Sequence, residues 1–67
     1  MNANELYAKA ATFYVNQKFD DAKKFALKAL LKDKKHSPSL NLLGSISFAL
    51  KDYELAKSFF EKAKIIF

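Results

Sequence analysis

The residues able to do chemistry are few in this chain, and their spacing does not bring them together. His36 is the only histidine, cysteine is absent, and seven carboxylates are spread over 67 residues. Catalysis needs convergent polar groups in a pocket. His36 falls in the linker Lys32-Asp33-Lys34-Lys35-His36, where a lone exposed histidine is expected to be inert. Asp20-Asp21 resembles a carboxylate pair, but adjacent side chains on a helix diverge by about 100 degrees. The pair reads instead as the acidic first turn of a helix. Metal binding would require several histidine, cysteine or acidic ligands at suitable spacing, and no Gly-rich phosphate loop is present. The expectation is a non-enzyme with no cofactor and no metal.

Charge gives a second set of candidates. The net charge is +5, and all twelve basic residues are lysines. Lys23, Lys24, Lys28, Lys32, Lys34 and Lys35 could meet nucleic acid or an acidic surface, and this is the alternative function. Without arginine the planar fork that reads phosphates and bases is missing, which disfavours nucleic acid. The linker lysines are also what a helix C-terminus attracts.

The elements that must position any site are helices. One glycine and one proline leave little room for β-turns, and the apolar spacing is helical throughout. Asn2 or Asn4 can cap a first helix running to about Asn16, with Asn16-Gln17-Lys18 as its turn. A second helix runs from near Phe19 to about Lys32, with Phe19, Ala22, Phe25, Ala26, Ala29 and Leu30 facing inward; Leu27 and Leu31 are left off that stripe. Ser37 followed by Pro38 reads as an N-cap and first-turn proline for a third helix ending near Leu50. Its inward face is Leu40, Leu43, Gly44 and Ser47, with Gly44 expected to admit a close neighbour such as Ala56. Asp52 then caps a fourth helix.

The helices repeat. Ala56-Lys57-Ser58-Phe59-Phe60-Glu61-Lys62-Ala63 echoes Ala22-Lys23-Lys24-Phe25-Ala26-Leu27-Lys28-Ala29 at an offset of 34 residues. Leu6 and Leu40, Ala10 and Gly44, Tyr14 and Phe48, and Phe19 and Tyr53 keep the same offset. A fixed period of this length marks a repeat architecture. One copy is too short to bury its own apolar face, whereas two provide a small stacked core.

These residues resemble the tetratricopeptide repeat family. The second copy carries Leu40, Leu43-Gly44, Asp52-Tyr53-Glu54-Leu55-Ala56, Phe59-Phe60 and Ala63; the first carries Leu6, Ala10, Phe13, Phe19-Asp20-Asp21-Ala22, Phe25 and Ala29. Departures are Lys9 where leucine is usual, Gln17-Lys18 where glycine often sits in the turn, Ser47 at an aromatic position, and Lys34 where a proline commonly follows. The implied fold is all-α, two stacked antiparallel helix hairpins forming a right-handed α-solenoid fragment. A single domain, 1–67, would hold repeat 1 at about 3–36 and repeat 2 at about 37–67.

The resemblance also implies a working surface. In the family, first helices line a concave groove that receives a peptide or partner helix. Matching positions are Tyr7, Ala11, Tyr14 and Val15 in the first copy, and Asn41, Leu42, Ser45, Phe48 and Ala49 in the second. Members that clamp a chaperone's C-terminal carboxylate use lysine and asparagine at sites that here hold Tyr7, Ala11 and Leu42, so that activity is not expected. An apolar, aromatic groove suits a hydrophobic segment or amphipathic helix. The chain finishes on Ile65-Ile66-Phe67 with no polar helix after it. Terminal repeats normally carry a solvating cap. The expectation is therefore self-association through Phe59, Phe60, Ala63, Ile66 and Phe67, with further repeats of a longer chain as the other way to cover that face. No apolar run approaches the roughly 20 residues of a membrane span, and the N-terminus lacks signal-peptide order. A cytoplasmic scaffold that binds protein or peptide is the reading that results.

Overall fold

The computed structural model describes residues 1–66, with side chains described to Lys64. Four helices follow one another: α1 (Ala3–Val15), α2 (Phe19–Lys32), α3 (Ser37–Ala49) and α4 (Tyr53–Ile66). α1 and α2 form one antiparallel hairpin, α3 and α4 the second. The hairpins stack chiefly through α2 and α3, with a lesser contact between α1 and α3. Among the described residues α4 packs on α3 alone, whereas α2 is held between α1 and α3.

Small residues set the packing. Ala10, Ala22, Ala26 and Ala29 are fully buried, and Ala56 and Ala63 are only 2% exposed. Leu42, Leu43 and Ile46 of α3 join Ala10, Ala22 and Ala26 in one cluster, ringed by Tyr7, Phe13, Tyr14, Phe19, Phe25 and Phe59. The alanines let helix backbones approach, and the rings fill the space alongside them. Phe13 and Phe25 stack at 5.4 Å within the first hairpin. Gly44 has the same role in the second: a Cβ there would lie 2.5 Å from the Phe60 ring. The residue that needs the notch is thus Phe60, not Ala56. This contact accounts for the roughly 1 kcal/mol of helix propensity that glycine gives up relative to alanine.

The 34-residue offset extends to the backbone turns. Lys18 N–H donates to the Phe13 carbonyl and Gln17 N–H to that of Tyr14; Asp52 N–H donates to Ser47 and Lys51 N–H to Phe48. This is the Schellman pattern, whose turning residue is left-handed and usually glycine. Here it is Gln17 at φ 61° and Lys51 at φ 65°. A residue with a Cβ is strained there by about 1–2 kcal/mol, against about 0.5–1 kcal/mol of extra chain entropy lost by glycine. Gln17→Gly and Lys51→Gly should each stabilise the protein by about 0.5–1 kcal/mol, raising the melting temperature by a few degrees. Thermal unfolding followed by far-ultraviolet circular dichroism checks this; a lower midpoint for both would refute the strain argument.

The helix starts are also in register. Asn2 caps α1, accepting from Glu5 N–H at 2.8 Å while Glu5 accepts from Asn2 N–H at 3.0 Å, a reciprocal capping box. Asp52 accepts from Leu55 N–H at 3.3 Å at the head of α4. At α3 the N-cap is His36, not Ser37. Ser37 lies inside the helix with its Oγ buried and unpartnered. The Ser-Pro signature is displaced by one residue because Pro38 is accommodated anywhere in the first turn, where its missing N–H costs nothing.

Candidate protein-interaction surfaces

His36 is the first departure from the expected site. It is buried, 8% exposed, and not a solvated linker residue. Its Nδ1 lies 2.7 Å from Ser39 Oγ and its Nε2 lies 2.7 Å from Asn4 Oδ1. The Tyr7 ring meets it edge-on at 5.8 Å. Because Asn4 Oδ1 only accepts, Nε2 carries the hydrogen, and Nδ1 accepts from the Ser39 hydroxyl. The Nε2 bond ties the start of α3 to the start of α1, and the Nδ1 bond holds the ring against the first turn of α3. The arrangement is a structural pin, and its signal in the sequence is the register: His36 and Ser39 stand 34 residues after Asn2 and Glu5.

The residues expected to line the concave groove divide. Val15, Asn41, Phe48 and Ala49 are exposed, and Tyr7, Ala11, Tyr14 and Ser45 are half-buried. Leu42 is corrected: it is a core residue in the cluster between the hairpins. Two of the aromatics have intramolecular partners at matching positions. Tyr14 packs on Phe19 at 5.7 Å, and Phe48 on Tyr53 at 5.2 Å. Each pair clasps the turn of its own hairpin.

The expected self-association face divides similarly. Ala63 is buried, so it supports α4 and is not available for contact. Phe59 is half-buried against the core cluster with Lys62 over its ring. Phe60 remains 40% exposed. The Phe67 assignment, and that of the Ile66 side chain, lie outside the described residues. Missed in the sequence was an open groove of about 430 Å³ lined by Phe48, Tyr53, Ala56, Lys57, Phe60, Glu61 and Lys64. Its floor is apolar, and charges stand on its rim.

Most of the lysines named for the alternative function lie at the surface. Lys24, Lys28, Lys32, Lys34 and Lys35 are exposed and Lys23 is half-buried. Lys28 and Lys9 lie over the Phe25 ring, at 4.9 and 5.7 Å from its centroid. Their stems cover apolar surface while the ammonium groups stay wet. Among the described residues no group of three or more histidine, cysteine or acidic side chains could hold a metal ion. Among the described residues no helix is long and apolar enough to cross a membrane.

Residues 37–64 match the family model for the tetratricopeptide repeat. No curated protein and no solved structure gives a match. The repeat is a non-catalytic module that generally mediates contacts between proteins. The matched residues span α3 and nearly all of α4, and the first hairpin carries the same turns, the same aromatic clasp and the same buried alanines. The second hairpin thus matches the tetratricopeptide repeat, and the four helices fit two hairpins that resemble it.

Proposed function

We propose that this chain is a protein-interaction module that receives a hydrophobic peptide or partner helix along the face formed by α1 and α3. The observation that carries the reading is the exposure of large apolar groups in the last turns of those helices. Val15 is 72% exposed and Phe48 62% exposed. Isolated exposed apolar residues are ordinary, but a grouped set marks an interface. Tyr7, Ala11, Tyr14, Ser45 and Ala49 would extend that set along the two helices, with Asn41 as a polar contact.

Val15 and Ala49 occupy equivalent positions in the two copies, both exposed and neither needed by the core. A Val15→Glu/Ala49→Glu double variant should therefore keep its helicity and bind apolar peptides at least tenfold more weakly. Titration of fluorescently labelled amphipathic peptides against both proteins makes the comparison. Unchanged affinity in the variant would remove the α1–α3 face from consideration. The lysine alternative is separated by salt, because phosphate or acidic-surface contacts weaken steeply with ionic strength. An apolar face is nearly indifferent to it.

A further inference from the structure

The groove on α4 is the α3 seat repeated 34 residues further along the chain. Phe48, Tyr53, Ala56, Lys57 and Phe60 line it, and their counterparts are Tyr14, Phe19, Ala22, Lys23 and Ala26. In the first hairpin that surface is covered: Ala26 is fully buried, and Tyr14 and Phe19 are half-buried against the same cluster. What covers it is α3, through Leu42, Leu43 and Ile46. In the second hairpin the corresponding surface is open, with Phe48, Tyr53 and Phe60 at 62%, 56% and 40% exposed.

From this internal precedent we infer that the α4 groove is a docking seat for an amphipathic helix of a partner protein, one that presents Leu, Leu and Ile at i, i+1 and i+4. The proposal goes beyond the α1–α3 face: the seat lies on α4 and shares only Phe48 with that face. Two observations define the occupant. A second copy stacking head to tail would have to insert α1 in the way that α3 is inserted. The α1 residues at the Leu42, Leu43 and Ile46 positions are Ala8, Lys9 and Thr12. Lys9 at the place of the fully buried Leu43 would put a charge into the apolar floor, so α1 cannot fill the seat. The rim also differs between copies: Glu61 and Lys64 stand where the first hairpin has Leu27 and Leu30, with Lys57 beside them. The occupant is thus narrower in its apolar stripe than α3. Acidic residues flank that stripe where it meets Lys57 and Lys64, with a basic or neutral residue opposite Glu61.

The test uses two peptides drawn from the chain itself. One carries the Ser37–Ala49 sequence with glutamates added at its ends, and the other carries Ala3–Val15 with the same additions. The first should bind saturably and shift the amide resonances of Tyr53, Ala56, Lys57 and Phe60, whereas the second should not. Phe60→Glu should weaken the first peptide at least tenfold. Lys57→Glu, a fully surface change that leaves the fold intact, should weaken it several-fold at low salt and little at high salt. Equal binding of the two peptides, binding that Phe60→Glu and Lys57→Glu leave untouched, or no binding at millimolar peptide would overturn the proposal. So would resonance shifts confined to Ala22 and Ala26, which would mean that the peptide displaces α3. Sedimentation showing a dimer that Phe60→Glu dissociates would also overturn it, assigning the seat to a second copy.

Discussion

Leu43→Ala should cost about 3–4 kcal/mol, within the range of about 2–5 kcal/mol for truncating a fully buried leucine. Leu43 is fully buried and belongs to the cluster that joins the hairpins. A chain of 67 residues at about 0.05–0.15 kcal/mol per residue has only about 3–10 kcal/mol of stability. The truncation therefore removes a third of the stability or more, and at the lower end it unfolds the domain. The cluster around it includes Ala10, Ala22 and Ala26, which have no rotamers with which to refill a cavity. Leu31, 84% exposed on α2, provides the contrast: Leu31→Ala should stay within about 0.5 kcal/mol of the parent. Urea unfolding of both variants, followed at the helical circular-dichroism band, measures the difference. A Leu43→Ala loss below about 1 kcal/mol, less than the usual cost of a buried truncation, would show that α3 is not the element the stack is built around.

The sequence made the hairpins legible because residue size survives repetition. Alanine at 22, 26, 29, 56 and 63 reads as close packing, and each of these residues is buried. Phe60 stood apart from that rule: it occupies the position of a buried alanine, and only the neighbouring Gly44 leaves space for its ring. The concave strip was partly legible. Leu42 was misplaced because a single-stripe reading fits a helix with one packed face, while α3 is packed on both α2 and α4. Eight of its thirteen residues are buried as a result. The seat on α4 was hidden for a different reason. Phe48 and Phe60 were read as parts of two separate surfaces, and only the fold brings them together in one groove. The left-handed turn residues could be suspected from the missing glycines at Gln17 and Lys51, but the strain becomes evident only in the backbone.

His36 was illegible because its environment is assembled from distant parts of the chain. Asn4, its Nε2 partner, lies 32 residues away in sequence, and the 34-residue register that pairs His36 with Asn2 changes residue type between the copies. His36→Ala should destabilise the protein by about 2–4 kcal/mol, combining two lost hydrogen bonds, an orphaned hydroxyl and a small cavity. The orphan is Ser39 Oγ, on a residue with no exposure at all. Asn4 is exposed and can return to water, so Asn4→Ala should cost no more than about 1 kcal/mol, the net worth of an ordinary hydrogen bond. This asymmetry predicts the outcome of a double-mutant cycle. Adding Ser39→Ala to His36→Ala should recover part of the loss, because the unsatisfied hydroxyl is then gone, and the two substitutions should be less than additive by about 1–2 kcal/mol. Long-range nitrogen–proton spectra of the imidazole provide a readout that cavity formation alone does not move. The ring should show a single tautomer with hydrogen on Nε2, and Asn4→Ala should release that preference while leaving the fold in place. Additive losses together with a mixed tautomer in the parent protein would mean that His36 merely fills space between α1 and α3.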